Sequence, residues 1–171
     1  MQHESRFSGP PPGAENPFSS GAVDAAFMCA PPFFWLLESG VKVELLGVAP
    51  IFDDSRCEAQ PVYFADVVTR AAGAATFEAL RGGVWAYNDA CSLSGYYCLL
   101  EHLHALGEDK TFFRQLSASG SHGASLELVL GGQADAAAID SNVLRLAVAA
   151  YPELREQLKI LTSWGHSRCN R

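Results

Sequence analysis

Three short segments combine hydroxyls, glycine and polar side chains in a pattern suited to holding a small anion. They are Phe27-Met28-Cys29-Ala30-Pro31-Pro32, Asn88-Asp89-Ala90-Cys91-Ser92-Leu93-Ser94-Gly95-Tyr96, and Ser119-Gly120-Ser121-His122-Gly123. The second and third put serine and glycine where a helix is expected to begin. Hydroxyls and unpaired backbone N–H groups donate hydrogen bonds there, and the helix dipole favours negative charge, so a tetrahedral oxyanion needs no Lys or Arg. Ser92, Ser94 and Gly95 are the candidate donors of one junction. His122 is that of the other, its imidazole either donating to an oxyanion or changing charge with pH. Serine also caps helices wherever it occurs, and capping alone accounts for either junction taken singly.

Asp140 directly follows the apolar run Ala134 to Ile139, which makes it both a ligand-facing position at a strand's carboxyl end and a natural helix cap. Tyr63 and Tyr87 offer phenolic donors, as half-buried strand-end tyrosines do in general. A rival chemistry takes Ser94, His122 and Asp140 as nucleophile, base and orienting acid of an acyl transfer. The chain order Ser, His, Asp differs from that of the usual hydrolases, and Ser92-Leu93-Ser94-Gly95-Tyr96 lacks the GxSxG elbow. No GxxxxGK[ST] loop points to nucleotide hydrolysis, and no cofactor is expected. The five cysteines, Cys29, Cys57, Cys91, Cys98 and Cys169, lack zinc-like spacing and read as small buried hydrophobes.

The elements that must position these residues alternate between strand and helix. The first 20 residues, rich in Pro, Gly and Ser, read as a mobile leader, and the fold begins near Gly21. Strands are expected at Val23 to Met28, Val43 to Ile51, Pro61 to Arg70, Val84 to Tyr87, Ala134 to Ile139 and Lys159 to Thr162. Helices are expected from Pro31 to Glu38, Thr76 to Arg81, Gly95 to Leu106 and Asp109 to Leu116. Others follow the His122 loop to Leu130, run from the Asp140-Ser141 cap to Ala150, and start at Pro152. Such alternation predicts an α/β fold with mostly parallel sheets covered by helices.

The chain has 171 residues, 49% of them hydrophobic, enough for a real core. Nineteen acidic against 12 scattered basic residues give a net charge of −7, which argues against a nucleic-acid backbone or an anionic membrane surface as partner. The longest apolar stretch is broken by Pro31 and Pro32 and is too short to span a bilayer, so no membrane insertion is expected. The N-terminus lacks the basic and apolar regions of a secretory signal, so a chain made as written would be cytoplasmic.

Six segments, in order and spacing, resemble the substrate-binding proteins of phosphate/phosphite/phosphonate ABC transporters. They are Val23–Phe27, Pro61–Val68, Trp85–Asp89, Ser92–Tyr96, Ser119–His122 and Ala134–Ser141, and the likeness runs from about Gly21 to Leu161. It implies the type II periplasmic-binding-protein fold, two α/β lobes closing over one ligand, a protein that captures and delivers but does not catalyse, and an ABC permease as partner. It also implies that Ser92, Ser94, Gly95 and His122 hold the oxyanion head, with Tyr63 in the cleft and Asp140 available to pair with a ligand amine. Family members are longer and exported. An export signal, a first βα unit and C-terminal helices have no counterpart here, so the first lobe is expected to be incomplete. On that mapping residues 1–20 are a disordered leader, 21–68 a partial first lobe, 69–157 the second lobe, and 158–171 a returning strand and tail. A sensor or scaffold that kept the fold without transport is the alternative.

Overall fold

The computed structural model describes residues 8–165. Residues 1–7 of the leader and 166–171 of the tail, Cys169 included, lie outside them. Five strands form one sheet: β1 (Ala65–Arg70), β2 (Val84–Tyr87), β3 (Gln115–Ala118), β4 (Ala136–Asp140) and β5 (Leu158–Trp164), in the order β3-β2-β4-β1-β5. β2 runs parallel to β3 and β4, and β1 runs antiparallel to β4 and β5, so four strands point one way and β1 opposes them. The helices are α1 (Ala30–Glu38), α2 (Cys98–Ala105), α3 (His122–Leu130), α4 (Ser141–Ala150) and α5 (Leu154–Gln157).

Successive side chains of a strand face opposite ways, and the two cores follow that rule. Trp85, Ala136 and Ala138 face the layer built on α2, with Leu99, Leu103, Phe77, Phe112 and Phe113. Val84, Ala86, Ala137 and Ile139 face α3 and α4, meeting Leu126, Val129 and Leu144. β4 carries alanine at three consecutive positions, and large aromatic rings supply the volume on one side. Trp85 stacks on Trp164 at 5.8 Å and meets Phe113 at 5.2 Å. Arg56 pins the segment before β1 to the sheet. Its guanidinium takes the buried Asp66 through both oxygens at 2.8 and 3.0 Å, reaches Asp54 at 2.7 Å, and lies over the Phe64 ring. Ser163 on β5 completes the group by donating to Asp66 at 2.6 Å.

β2, β4, α1, α3, α4 and β5 stand where the sequence pattern expects them, within a few residues. The helix expected from Thr76 to Arg81 is only a 3-10 turn (Glu78–Leu80), and four further segments differ. Val23 to Met28 and Val43 to Ile51 form no strand, because no neighbouring strand flanks them; Phe27 is 96% exposed and Val48 80%. Instead of a helix, Asp109 to Leu116 forms a 3-10 turn (Lys110–Phe112) followed by β3. The Asp109 carboxylate accepts from the N–H and hydroxyl of Thr111 and closes the turn, while Phe112 and Phe113 sink into the aromatic core. The helix expected from Gly95 opens instead with a π-helical turn (Leu93–Tyr97) before α2. Cys57 and Cys91 are buried and Cys29 and Cys98 half-buried, all four as free thiols.

Candidate functional site

Parallel pairing of β2 and β3 brings the serine and histidine loops together. The ladder that pairs Tyr87 with Ala118 runs on past both strands. The Ser119 N–H donates to the Tyr87 carbonyl and the Gly120 N–H to the Asn88 carbonyl, each at 2.8 Å. Two chain reversals start side by side from there, one into the π-turn and one into α3. Ser92 caps the first, its Oγ accepting from the Gly95 N–H at 3.0 Å. Ser121 caps the second, accepting from the Ala124 N–H at 3.0 Å. Gly95 is required where it stands: a Cβ there would run into Asn88 Oδ1 and meet Ser92 Oγ at 3.3 Å.

Ser94 and His122 meet across this junction, Oγ to Nε2 at 3.3 Å. Ser92 is fully buried and Ser94 is 2% exposed, so both hydroxyls lie under cover. Burial pushes the His122 imidazole down to about 4, against the opposing pull of the Asp89 carboxylate, so the ring is neutral at pH 7. His122 Nδ1 is buried without a partner among the described residues, a donor or acceptor still available for use. Ser119 knits the loop from behind through the Tyr87 carbonyl, the Ser121 carbonyl and the Ser125 hydroxyl at 2.7 Å.

Asp140 ends β4 and caps α4. One carboxylate oxygen, Oδ1, accepts from the Asn142 and Val143 N–H groups at 2.8 and 3.2 Å, and burial raises the carboxyl above the usual aspartate range. Tyr63 lies close enough to Asp140 and Cys29 for both to push its hydroxyl upward, behind the larger effect of burial. Of the candidate residues, the structure brings Ser94 and His122 into direct contact, while Asp140 is engaged in capping α4. An acyl-transfer triad is not assembled. Asp140 would have to accept from His122 Nδ1, and it caps α4 instead while Nδ1 has no partner.

Asn88 and Asp89 open the second of the polar segments, but the sequence assigned neither a role at this site. The Asn88 side-chain amide packs against Gly95, and Asp89 Oδ1 accepts from the Cys91 N–H at 2.7 Å, so this pair fixes how the chain leaves β2. Their position at the carboxyl end of a strand was the available signal. A cavity of about 310 Å³ lies at the opposite end of β2, lined by Arg70, Leu80, Arg81, Gly83 and Asp135. Its arginines are committed, Arg70 to the Val129 and Ala134 carbonyls and Arg81 to Glu108, and the serine and histidine loops do not border it. Among the described residues no group of three or more His, Cys, Asp or Glu could hold a metal ion, and no helix is long and apolar enough to cross a membrane.

Solved structures share this architecture. A binding-protein component of an ABC phosphonate transporter from Pseudomonas aeruginosa matches with a TM-score of 0.55 at 19% identity, over 62% of this chain and 37% of that one. PhnD1 from Prochlorococcus marinus, solved with methylphosphonate, matches with a TM-score of 0.51 at 18% identity, over 60% of this chain and 41% of that one. A protein described as the periplasmic sulfonate-binding protein of an ABC transporter in Methylobacillus flagellatus matches at 0.57 and 19% identity, over 86% and 39%. At these identities the likeness establishes the fold, the type II periplasmic-binding-protein architecture, and the chain spans about two fifths of the length of these solved chains. No curated protein matches the sequence. The family model described as "ABC transporter, phosphonate, periplasmic substrate-binding protein" matches residues 4–165, and the chain belongs to that family.

Proposed function

We propose that this chain binds a small phosphorus oxyanion, a phosphonate, phosphite or phosphate, and serves as the substrate-binding component of an ABC transporter alongside a permease. The observation that carries this reading is the Ser94–His122 contact at 3.3 Å between two capped helix starts. Hydroxyls and a neutral imidazole converge there, and among the described residues no Lys or Arg is hydrogen-bonded to Ser92, Ser94 or His122. This donor set recognises an anion by hydrogen bonds rather than by a counter-charge. Ser92, Ser94, Gly95 and His122 hold the oxyanion head in this reading, with Tyr63 and Asp140 facing the rest of the ligand.

The test is a thermal-shift titration with phosphate, phosphite, methylphosphonate, 2-aminoethylphosphonate and sulfate. A ligand that binds only the folded state raises its melting temperature. A rise with one or more phosphorus oxyanions and none with sulfate is the expected result. A cooperative melt that no oxyanion shifts overturns the reading and favours a sensor or scaffold.

A further inference from the structure

Ser92 and Ser94 are buried, and the leader is bonded to the loop that runs into them. Ser8 is held on all its polar groups. Its N–H and hydroxyl both donate to Asp89 Oδ2, at 3.0 and 2.9 Å. Its hydroxyl accepts from Asn88 Nδ2 at 3.2 Å, and its carbonyl accepts from the Cys29 N–H at 2.8 Å. Those contacts tie the start of α1 to the loop that leaves β2 for the π-turn. Gly9 makes the passage possible. Its φ is +150°, and a Cβ there would lie 2.6 Å from Pro32 Cβ and 3.3 Å from Met28 Cβ. Only a residue without a side chain passes over Pro32 in that conformation.

We propose that residues 8–9 are a strap that closes the approach between α1 and the Asn88–Asp89 loop, and that must leave before a ligand reaches Ser94 and His122. The proposal rests on the oxyanion-binding reading for what the strap excludes. Its seating is fixed by the contacts of Ser8 and Gly9 alone. A strap that occupies the site for most of the time lowers the apparent affinity by the fraction of open molecules, so unseating it strengthens binding.

Ser8→Ala and Gly9→Ala variants of the 171-residue chain test this with two readouts. The first is iodoacetamide labelling mapped by mass spectrometry. Cys91, 3% exposed and bonded through its N–H to Asp89, should label faster in both variants. Cys57, fully buried in the turn that carries Arg56, should stay protected and so report that the fold is intact. The second is calorimetric titration with methylphosphonate, which should bind about tenfold more tightly to Gly9→Ala than to the parent. Unchanged Cys91 labelling in both variants would overturn the strap. So would faster labelling with unchanged or weaker methylphosphonate binding, because the segment would then cover the loop without excluding ligand. If neither parent nor variants bind any phosphorus oxyanion, the functional reading fails, and Cys91 labelling by itself decides whether the strap is seated.

Discussion

Ser94 Oγ and His122 Nε2, 28 positions apart in sequence, lie 3.3 Å from each other because β2 and β3 pair in parallel and deliver both chain reversals to one edge of the sheet. That contact joins the two helix starts.

On the proposed oxyanion reading, Ser94→Ala removes one hydroxyl from a charge-assisted set. Methylphosphonate or phosphate affinity should fall by about 1.5–3 kcal/mol, roughly 10- to 150-fold, as read by calorimetry. An affinity equal to the parent's would take Ser94 out of the site.

His122 should make the fold acid-sensitive. Its folded-state value is about 4, lowered by burial, whereas an exposed imidazole titrates near 6.5. Between those values the unfolded chain binds a proton that the folded chain refuses, so stability rises with pH across this window. About 3 kcal/mol present above pH 6.5 is lost by pH 4. Urea melts of the parent and His122→Gln over pH 4–7 check it; equal pH slopes for the two proteins would refute the assignment.

Asp140→Asn and Asp140→Ala separate cap from charge. Asparagine still presents an oxygen to the Asn142 and Val143 N–H groups, so it should keep stability within about 0.5 kcal/mol, while alanine should cost about 1 kcal/mol. Burial raises this carboxyl, so its ionisation disfavours the fold. The advantage of asparagine should grow as pH rises through the folded-state value and vanish at low pH. Chemical denaturation at pH 4 and pH 7 measures both.

Arg56→Ala leaves the Asp66 carboxylate, 2% exposed, with Ser163 as its remaining hydrogen-bond partner. The guanidinium is itself 40% exposed, so the loss should be about 2 kcal/mol, below that of a fully buried pair. Adding Asp66→Asn should recover part of it. A double variant as unstable as the sum of the singles would show that the two side chains do not interact.

The polar loops were legible because serine, glycine and histidine at strand ends obey local rules: Ser92, Ser121 and Asp140 cap as their types predict. Three features were not legible. β3 hides in a segment where Phe112, Phe113 and Leu116 fall at helical spacing, and only the Asp109 turn and the aromatic core resolve it. The π-turn depends on Asn88 packing against Gly95, a contact made after the chain reverses. Ser8 meets Asp89 across 81 positions, and no local pattern encodes that bond. The segments 23–28 and 43–51 carry strand-like residues, but a strand also requires a neighbour, and side-chain alternation says nothing about whether one is present.

β1 sits between β4 and β5, so Ala65 pairs with Asp140 on one side and Trp164 on the other. A ribosome delivers β1 long before either neighbour. Until Trp164 has cleared the exit tunnel, the nascent chain carries this central strand with at least one open edge. The sheet therefore closes only once residue 164 has been made, about 95 positions after β1, and its closure should be slow, as expected where the key pairings are this distant in sequence.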